Sequence, residues 1–408
     1  MDEREQRGQV IATTKKLRRK GDLWIVPSQG SGGTYVVDPT EQHGATCSCP
    51  DFETRREKCK HVFAVEFTIQ RETVGADGSS VTEAFRFTYR QEWPAYNAAQ
   101  THEKEHVAAF LHGLCAAIDN PPQQGRGRPR LPLSDAVFCA VMKVYGGTSG
   151  RRASVDMRDY ATKGYIDKAP HYNSIFNILE SPALTPILKT MIEESARPLR
   201  LVESDFAVDS SGFSTTVYAR WFDHKYGREK VANEWVKAHI MIGVKTNVVT
   251  SAEVTAAYQH DYAHLQPLLA RTTKSFNVAA VSADKAYLGH DNLDAIVGAG
   301  AFPLIPFKSN STRYGMNSHS KESRALWRRM HDFFTHNREE FLQHYHKRSN
   351  VETTFHMIKS KFGSRVRSKT PVAQTNEVLC KVLCHNLCCL VSAFYELGIE
   401  ATFWGVAS

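Results

Sequence analysis

The stretch Tyr345-His346-Lys347-Arg348-Ser349-Asn350-Val351-Glu352, with Lys359 beyond it, constrains this chain more than any other. Wound as an α-helix at about 100° per residue from Tyr345, Arg348 falls near about −60°, Glu352 near about −20° and Lys359 near about −40°. One phenol, one acid and two cations then share a narrow stripe. Val351, Phe355, Ile358 and Phe362 fall at roughly 240°, 280°, 220° and 260°, an apolar stripe beside the polar one. Such a helix packs against a core on one side and presents a carboxylate flanked by cations on another. That combination suits a metal ion and a phosphate polyanion.

The charge balance agrees. The 408 residues carry a formal charge of +8. Between Lys308 and Lys369 lie fourteen Lys or Arg against five Asp or Glu, so the whole excess gathers around the opening helix. A solvated charged face would not need that concentration, and a nucleic-acid groove would. Apolar residues make up 42% and charged residues 23%, as in ordinary globular proteins, and the length allows more than one core. The N-terminus is charged, without a signal-peptide pattern, and no 18-residue apolar run stands out, so a cytoplasmic protein with no membrane partner is expected. Nine cysteines, an odd number, argue against a disulfide framework and leave thiols for metal or packing.

Four of those ligand types form a compact set: Cys47-Ser48-Cys49, a nine-residue spacer, then Cys59-Lys60-His61. Three thiolates and one imidazole suit tetrahedral zinc (Zn²⁺). Trp24–Val26 and Thr34–Val37 read as short strands before it, and Val62–Arg71 as a helix after it, giving a small ββα zinc-binding domain. The pattern resembles the SWIM zinc finger, Cys-x-Cys followed by Cys-x-His. That resemblance implies a structural zinc, held by Cys47, Cys49, Cys59 and His61, and contacts with DNA or protein. With all four positions filled by protein, no catalysis is expected there.

Along the rest of the chain, residues 1–20 read as a charged, mobile lead and Gly75–Ser80 as a loop. Gln91–Asp119 reads as helix. Asn120–Pro132, rich in Pro, Gly and Arg, is the clearest linker. Within it Arg126-Gly127-Arg128-Pro129-Arg130 resembles the core of an AT-hook, whose arginines lie in the minor groove of DNA. A plain polar hinge is the competing reading. Residues 134–200 read as helices, a DNA-binding or dimerisation region. From Ser204 strands appear at Phe206–Val208, His239–Thr246, Val248–Thr255, Val278–Ser282 and Pro303–Phe307, with helices at about 261–271 and 288–299. This is a β-β-β-α-β-α-β order, an α/β layout with a mixed sheet flanked by helices. The division expected is 1–90 for the finger, 91–133 for helix and linker, 134–200 for the helical middle, 201–370 for the α/β domain and 371–408 for a C-terminal helix. Cys380, Cys384, Cys388 and Cys389 with His385 could suggest a second metal site, but their Leu and Val neighbours make a buried helix the simpler reading. His319, His331, His336, His344, His346 and His356 lack zinc-enzyme spacing.

Asp209 ends the apparent strand Phe206–Val208 and precedes a Ser-Ser-Gly turn. Asp284 ends Val278–Ala283. With Glu352 these give three carboxylates that could hold Mg²⁺ or Mn²⁺ through hard oxygens. A pair of such ions about 4 Å apart can drive in-line phosphoryl displacement. Asp205 shares strand parity with Asp209 and rivals it; the turn directly after Asp209 favours Asp209.

These residues resemble the insertion-sequence transposases of the DDE type. "AVDSSGF" matches the first-acid strand, "SADKAY" the second, and Tyr345, Arg348, Glu352 and Lys359 fill a Tyr-x2-Arg-x3-Glu-x6-Lys signature. The hairpin "VKAHIMIGVKTNVVTSAEVT" and the tail "QTNEVLCKVLCHNL" are similar too. The resemblance spans about residues 130–395. It implies an RNase H-like fold and a divalent-metal-dependent transposase in which Asp209, Asp284 and Glu352 hold the metals. Tyr345, Arg348 and Lys359 would then contact the transposon end. It implies DNA partners (terminal inverted repeats and target), a homodimer on DNA, and a bacterial, nucleoid-associated location. A domesticated DNA-binding protein and a nuclease without strand transfer remain as alternatives.

Overall fold

The computed structural model describes residues 4, 7–8, 11–12, 15, 17–20, 23–28, 33–39, 45–55, 57–74, 93–122, 130–215, 235–315 and 319–404. The chain divides into two compact units, Met1–Tyr89 and Arg90–Ser408. Gly75–Ser80 lies outside the described residues, as do Arg126 and Arg128 of the linker. Arg130 is described and exposed.

Among the described residues, the first unit holds a four-stranded antiparallel sheet followed by two helices. Its strands run in the order β1 (Arg18–Lys20), β2 (Leu23–Pro27), β3 (Thr34–Asp38) and β4 (Thr46–Cys47). The expected hairpin is β2–β3, in register Trp24↔Val37 and Val26↔Tyr35. Two short strands flank it. The lead is not simply a mobile tail: Arg18–Lys20 pairs with β2, and Ile11 is wholly buried in the small core. Helices α1 (Pro50–Arg55) and α2 (Lys60–Val74) follow.

Among the described residues of the second unit five helices come first: α3 (Trp93–Cys115), α4 (Leu133–Tyr145), α5 (Gly150–Thr162), α6 (Tyr172–Leu179) and α7 (Leu184–Ala196). Then come β5 (Asp205–Ser214), β6 (Trp235–Gly243), β7 (Val249–Ala256), α8 (Leu265–Thr272), β8 (Ala280–Ala283), α9 (His290–Gly298) and β9 (Phe302–Leu304). The sheet order is β7-β6-β5-β8-β9. β5, β6 and β7 are antiparallel neighbours, whereas β5, β8 and β9 run parallel, each parallel step crossing over through a helix.

β5 is apolar on both faces because both faces are covered. Ala207 and Phe213 join Ala238, Ile240 and Ile242 in a core built with the helices of 93–196. Phe206 and Val208 point the other way, into a core with α8, α9 and α10 (Lys321–His336). The 134–200 helices therefore share a core with the sheet. The chain then forms α11 (Arg338–Tyr345), a 3₁₀ turn at His346–Arg348 and α12 (Ser349–Phe362).

The last helix, α13 (Pro371–Leu397), starts at a Thr370 cap with Pro at its first turn and stops at Gly398 in the left-handed region. By length and composition it could cross a bilayer, but 78% of its apolar window is buried in protein. Asn386, fully buried on it, donates to the carbonyls of Ile192 (3.2 Å) and Val249 (2.7 Å) and accepts the Val249 N–H at 2.8 Å. One side chain so ties α13 to α7 and β7, and leaving those groups unpaired would cost about 1–3 kcal/mol each. The cysteines of this helix pack as thiols: burial pushes Cys388 up to about 12, and Cys384 donates to the Val141 carbonyl at 3.6 Å.

Candidate active site and zinc centre

The zinc centre is assembled by β4 and the start of α2. Cys47 closes β4, Cys49 lies in the bend after it, and Cys59 and His61 flank the first residue of α2. The four ligand atoms all lie within 4.8 Å of one another and all four residues are buried. His61 Nδ1 is 3.8 Å from Cys47 Sγ and 3.9 Å from Cys59 Sγ. Cys49 Sγ accepts the Phe52 N–H at 3.4 Å. The contact with Cys47, then with His61, pulls the Cys59 thiol down to about 3, while the same contact pushes Cys47 up. A buried set of three sulfurs and one imidazole, with one thiol already inclined to ionise, fits a structural Zn²⁺.

In the second unit the acids come together by register. Val208 pairs with Ala283 in the parallel β5–β8 ladder. One step further places Asp284 beside Asp209. Ala283 points into the same core as Val208, and Asp284 continues in extended backbone (φ −68°, ψ 159°), so both acids face the opposite side. α12 lies across that side, with Val351, Phe355 and Ile358 buried against it.

Arg348 links the elements. Its guanidinium donates to Asp209 Oδ2 at 2.9 Å through one nitrogen and to Glu352 Oε1 at 2.9 Å through another. Asp209 is four-fifths buried and Glu352 is exposed. Burial pushes the Asp209 carboxyl up, and the charges of Asp284 and Glu352 push the same way. The Ser210 N–H and Arg348 oppose them. Tyr345, its hydroxyl raised by burial, feels all three acids and Arg348. Lys359 donates to Ser211 Oγ at 2.6 Å and lies over the Phe213 ring at 5.2 Å; burial lowers its pKa.

The structure alters two sequence expectations. Asp209 does not end its strand: β5 runs on through Ser210-Ser211-Gly212 to Ser214, held by β6 in the register Asp209↔Ile240. The single helix from Tyr345 is instead α11, a 3₁₀ turn and α12. The (i, i+4) contact from Arg348 to Glu352 survives because it spans only the start of α12. The rival Asp205 is tied up elsewhere, accepting Lys347 Nζ at 2.6 Å.

One acid escaped sequence reading. Asp261 accepts Ser210 Oγ at 2.8 Å and Lys237 Nζ at 2.6 Å, on the face of β5 opposite Asp209. His239, paired with Ser210 across the ladder, sits 3.4 Å from Asp261 and stacks on His264 at 3.9 Å. Nothing in local sequence couples positions 210 and 261.

Among the described residues, the finger's four ligands are the one group of His, Cys, Asp or Glu gathered so that it could hold a metal ion as it stands. Arg348 occupies the space between Asp209 and Glu352. The donor set there is nonetheless right for a hard cation: carboxylates from adjacent strands, with one desolvated and burdened by like charges that a divalent ion would relieve.

Residues 200–387 match the family model of the transposase DDE domain, and residues 35–70 match that of the SWIM zinc finger. No curated protein and no solved structure matches the chain. Fold and site thus define an enzyme of the nuclease and transposase type on an RNase H-like sheet, a class that uses a divalent metal such as Mg²⁺ and works on DNA. Residues 200–387 of the chain thus form a transposase DDE domain, and an N-terminal SWIM zinc finger with a Cys₃His centre precedes it.

Proposed function

We propose that this protein is an insertion-sequence transposase that cuts its element's ends and joins them to target DNA. The observation that carries the reading is the Arg348 bridge from Asp209 on β5 to Glu352 on α12, with Asp284 beside Asp209 in register. Asp209, Asp284 and Glu352 would hold the divalent ions, Mg²⁺ or Mn²⁺. When bound there, such ions make water or a 3′-hydroxyl a better nucleophile and stabilise the leaving oxygen.

Two displacements follow. In the first, water attacks the phosphorus at the element end, and the P–O3′ bond breaks to free a 3′-hydroxyl. In the second, that hydroxyl attacks a target phosphodiester, a new P–O3′ bond forms, and the target's own 3′-oxygen leaves and takes a proton. The chain's side chains orient the DNA. Arg348 offers a planar fork to a phosphate once the carboxylates gain other cations. Lys359, anchored on Ser211, supplies a point charge next to it. Tyr345 adds a phenol donor at the same end of the helix. The finger, with no open ligand position, serves binding of DNA or a partner chain. Two ends must be held together, which calls for at least two copies of the chain.

On this reading inverted repeats flank the gene, and they would provide the substrate. Glu352→Gln is expected to abolish Mg²⁺-dependent cleavage of those ends while preserving their binding. Full cleavage by that variant would sink the assignment, and cleavage by the parent chain without joining would reduce it to a nuclease.

A further inference from the structure

Just past α12, Gly363 adopts φ +84° and ends the helix. The chain then runs alongside the far end of β5. The Ser214 N–H donates to the Ser364 carbonyl at 3.1 Å, and the Val366 N–H to the Ser214 carbonyl at 3.0 Å, a parallel bridge five residues beyond Asp209. In this segment Arg365, Arg367 and Lys369 are exposed, whereas Val366 is buried. Val366 thus faces the core while the three cations on either side of it lie in solvent within five residues of one another.

Two buried charges hold the segment. Glu377 and Lys381, 3% and 2% exposed, lie one turn apart on α13. Glu377 accepts the N–H groups of Arg367 (3.0 Å) and Ser368 (2.8 Å). Lys381 donates to the carbonyls of Gly363 (2.9 Å) and Arg365 (2.5 Å). Desolvating an ion pair is costly, and here both members spend their hydrogen bonds on the backbone of one short segment. That backbone is fixed while its three cations stay exposed. The neighbouring Lys359 and Lys361 are engaged by Ser211 and Glu103. Among the described residues no carboxylate pairs with Arg365, Arg367 or Lys369.

We propose that Arg365, Arg367 and Lys369 form a rigid rail for the phosphodiester backbone of duplex DNA on one flank of the scissile phosphate. Three exposed cations within five residues can each meet a phosphate along one strand. The Glu377–Lys381 pair acts as the rail's mount. This rests on the transposase reading and adds the side of the site on which the duplex lies.

The test is binding of the full-length protein to a short mixed-sequence duplex over a salt series, with cleavage of element ends in parallel. Each lost phosphate contact lowers the slope of log K against log salt by about 0.9, so the triple variant Arg365→Gln/Arg367→Gln/Lys369→Gln should lose about 2–3 in slope. At about 0.1 M salt its affinity should fall about a hundredfold or more. Arg367→Gln alone should lose about 0.9 in slope, which reads the same contact with a single surface change. A triple variant with the parent's affinity and slope, in a chain whose parent cleaves its ends, overturns the rail alone. A parent that neither binds nor cleaves DNA overturns the reading beneath it.

Discussion

Arg348 and Asp209 meet at 2.9 Å across two elements, and the pair is mostly out of water on both sides. The arginine does not fully offset what burial and two neighbouring acids do to that carboxylate, since its pKa still lies above the ordinary value. A folded pKa raised above the unfolded value stabilises only while the group is protonated. That contribution is complete below pH 3.8 and is lost as pH rises through the raised value. At neutral pH the Asp209 charge is therefore a burden to the fold. Asp209→Asn should raise Tm at pH 7, by roughly 2 °C, while reducing DNA cleavage to background. Addition of Mg²⁺ should raise the parent's Tm and leave the variant's nearly unchanged. A variant less stable than the parent at pH 7 would contradict this account of the site.

Much of this site could be read from local sequence, and the part that could not has a physical reason. The apolar stripe of α12 was legible because helical spacing alone decides which side chains share a face, and Val351, Phe355 and Ile358 are indeed buried. The break at His346–Arg348 was not legible, since no Pro or Gly marks a 3₁₀ turn there. Ser210-Ser211-Gly212 has turn composition, yet β6 pairs with it through Ser214 and holds it extended. Gly212 lies under the Trp235 ring, where an added Cβ would come within 3.1 Å of the indole, which is a reason for glycine unrelated to a turn. Asp261 joins the network only through tertiary packing, from a position 51 residues beyond Ser210.

Zinc removal should act on the finger and leave the sheet domain standing. The finger's core is small, and Cys47, Cys49 and Cys59 are themselves part of it. Structural zinc contributes about 10 kcal/mol or more to such folds. Native mass spectrometry is expected to show one zinc per chain, and His61→Ala or a strong chelator should remove it. Hydrogen exchange should then accelerate across 45–66 and stay slow in β5 and β6. Unchanged protection of residues 45–66 after zinc loss would show that the finger folds without metal.

Acid should weaken the fold through His239. It is fully buried, and burial, with His264 stacked on it, lowers its pKa from 6.5 to about 4 despite Asp261 nearby. Because the folded value lies below the unfolded one, the stability it contributes is present above pH 6.5 and disappears as pH falls toward 4. The effect is at most about 3 kcal/mol. Urea midpoints should fall between pH 7 and pH 5, and His239→Gln should flatten that dependence. His385, also buried and held near 4, would account for a residual slope. A pH dependence identical in His239→Gln and the parent would exclude His239 as its source.

Lys359 separates binding chemistry from stability. Its ammonium lies 2.6 Å from Ser211 Oγ and sits over the rings of Phe213 at 5.2 Å and Phe355 at 5.9 Å. Burial already disfavours its charge. Methionine keeps the stem's length and apolar contacts, so Lys359→Met should change stability by no more than about 1 kcal/mol. The cost should fall on the reaction: cleavage of element ends slowed at least about tenfold, the loss of one well-placed charged donor being worth 1.4 kcal/mol or more in the transition state. Lys359→Arg should not restore it, because a planar fork does not fit a slot shaped for an ammonium over two rings. Urea denaturation and single-turnover cleavage on the same preparations check both halves. Cleavage at the parental rate in a stable Lys359→Met chain would remove Lys359 from the site.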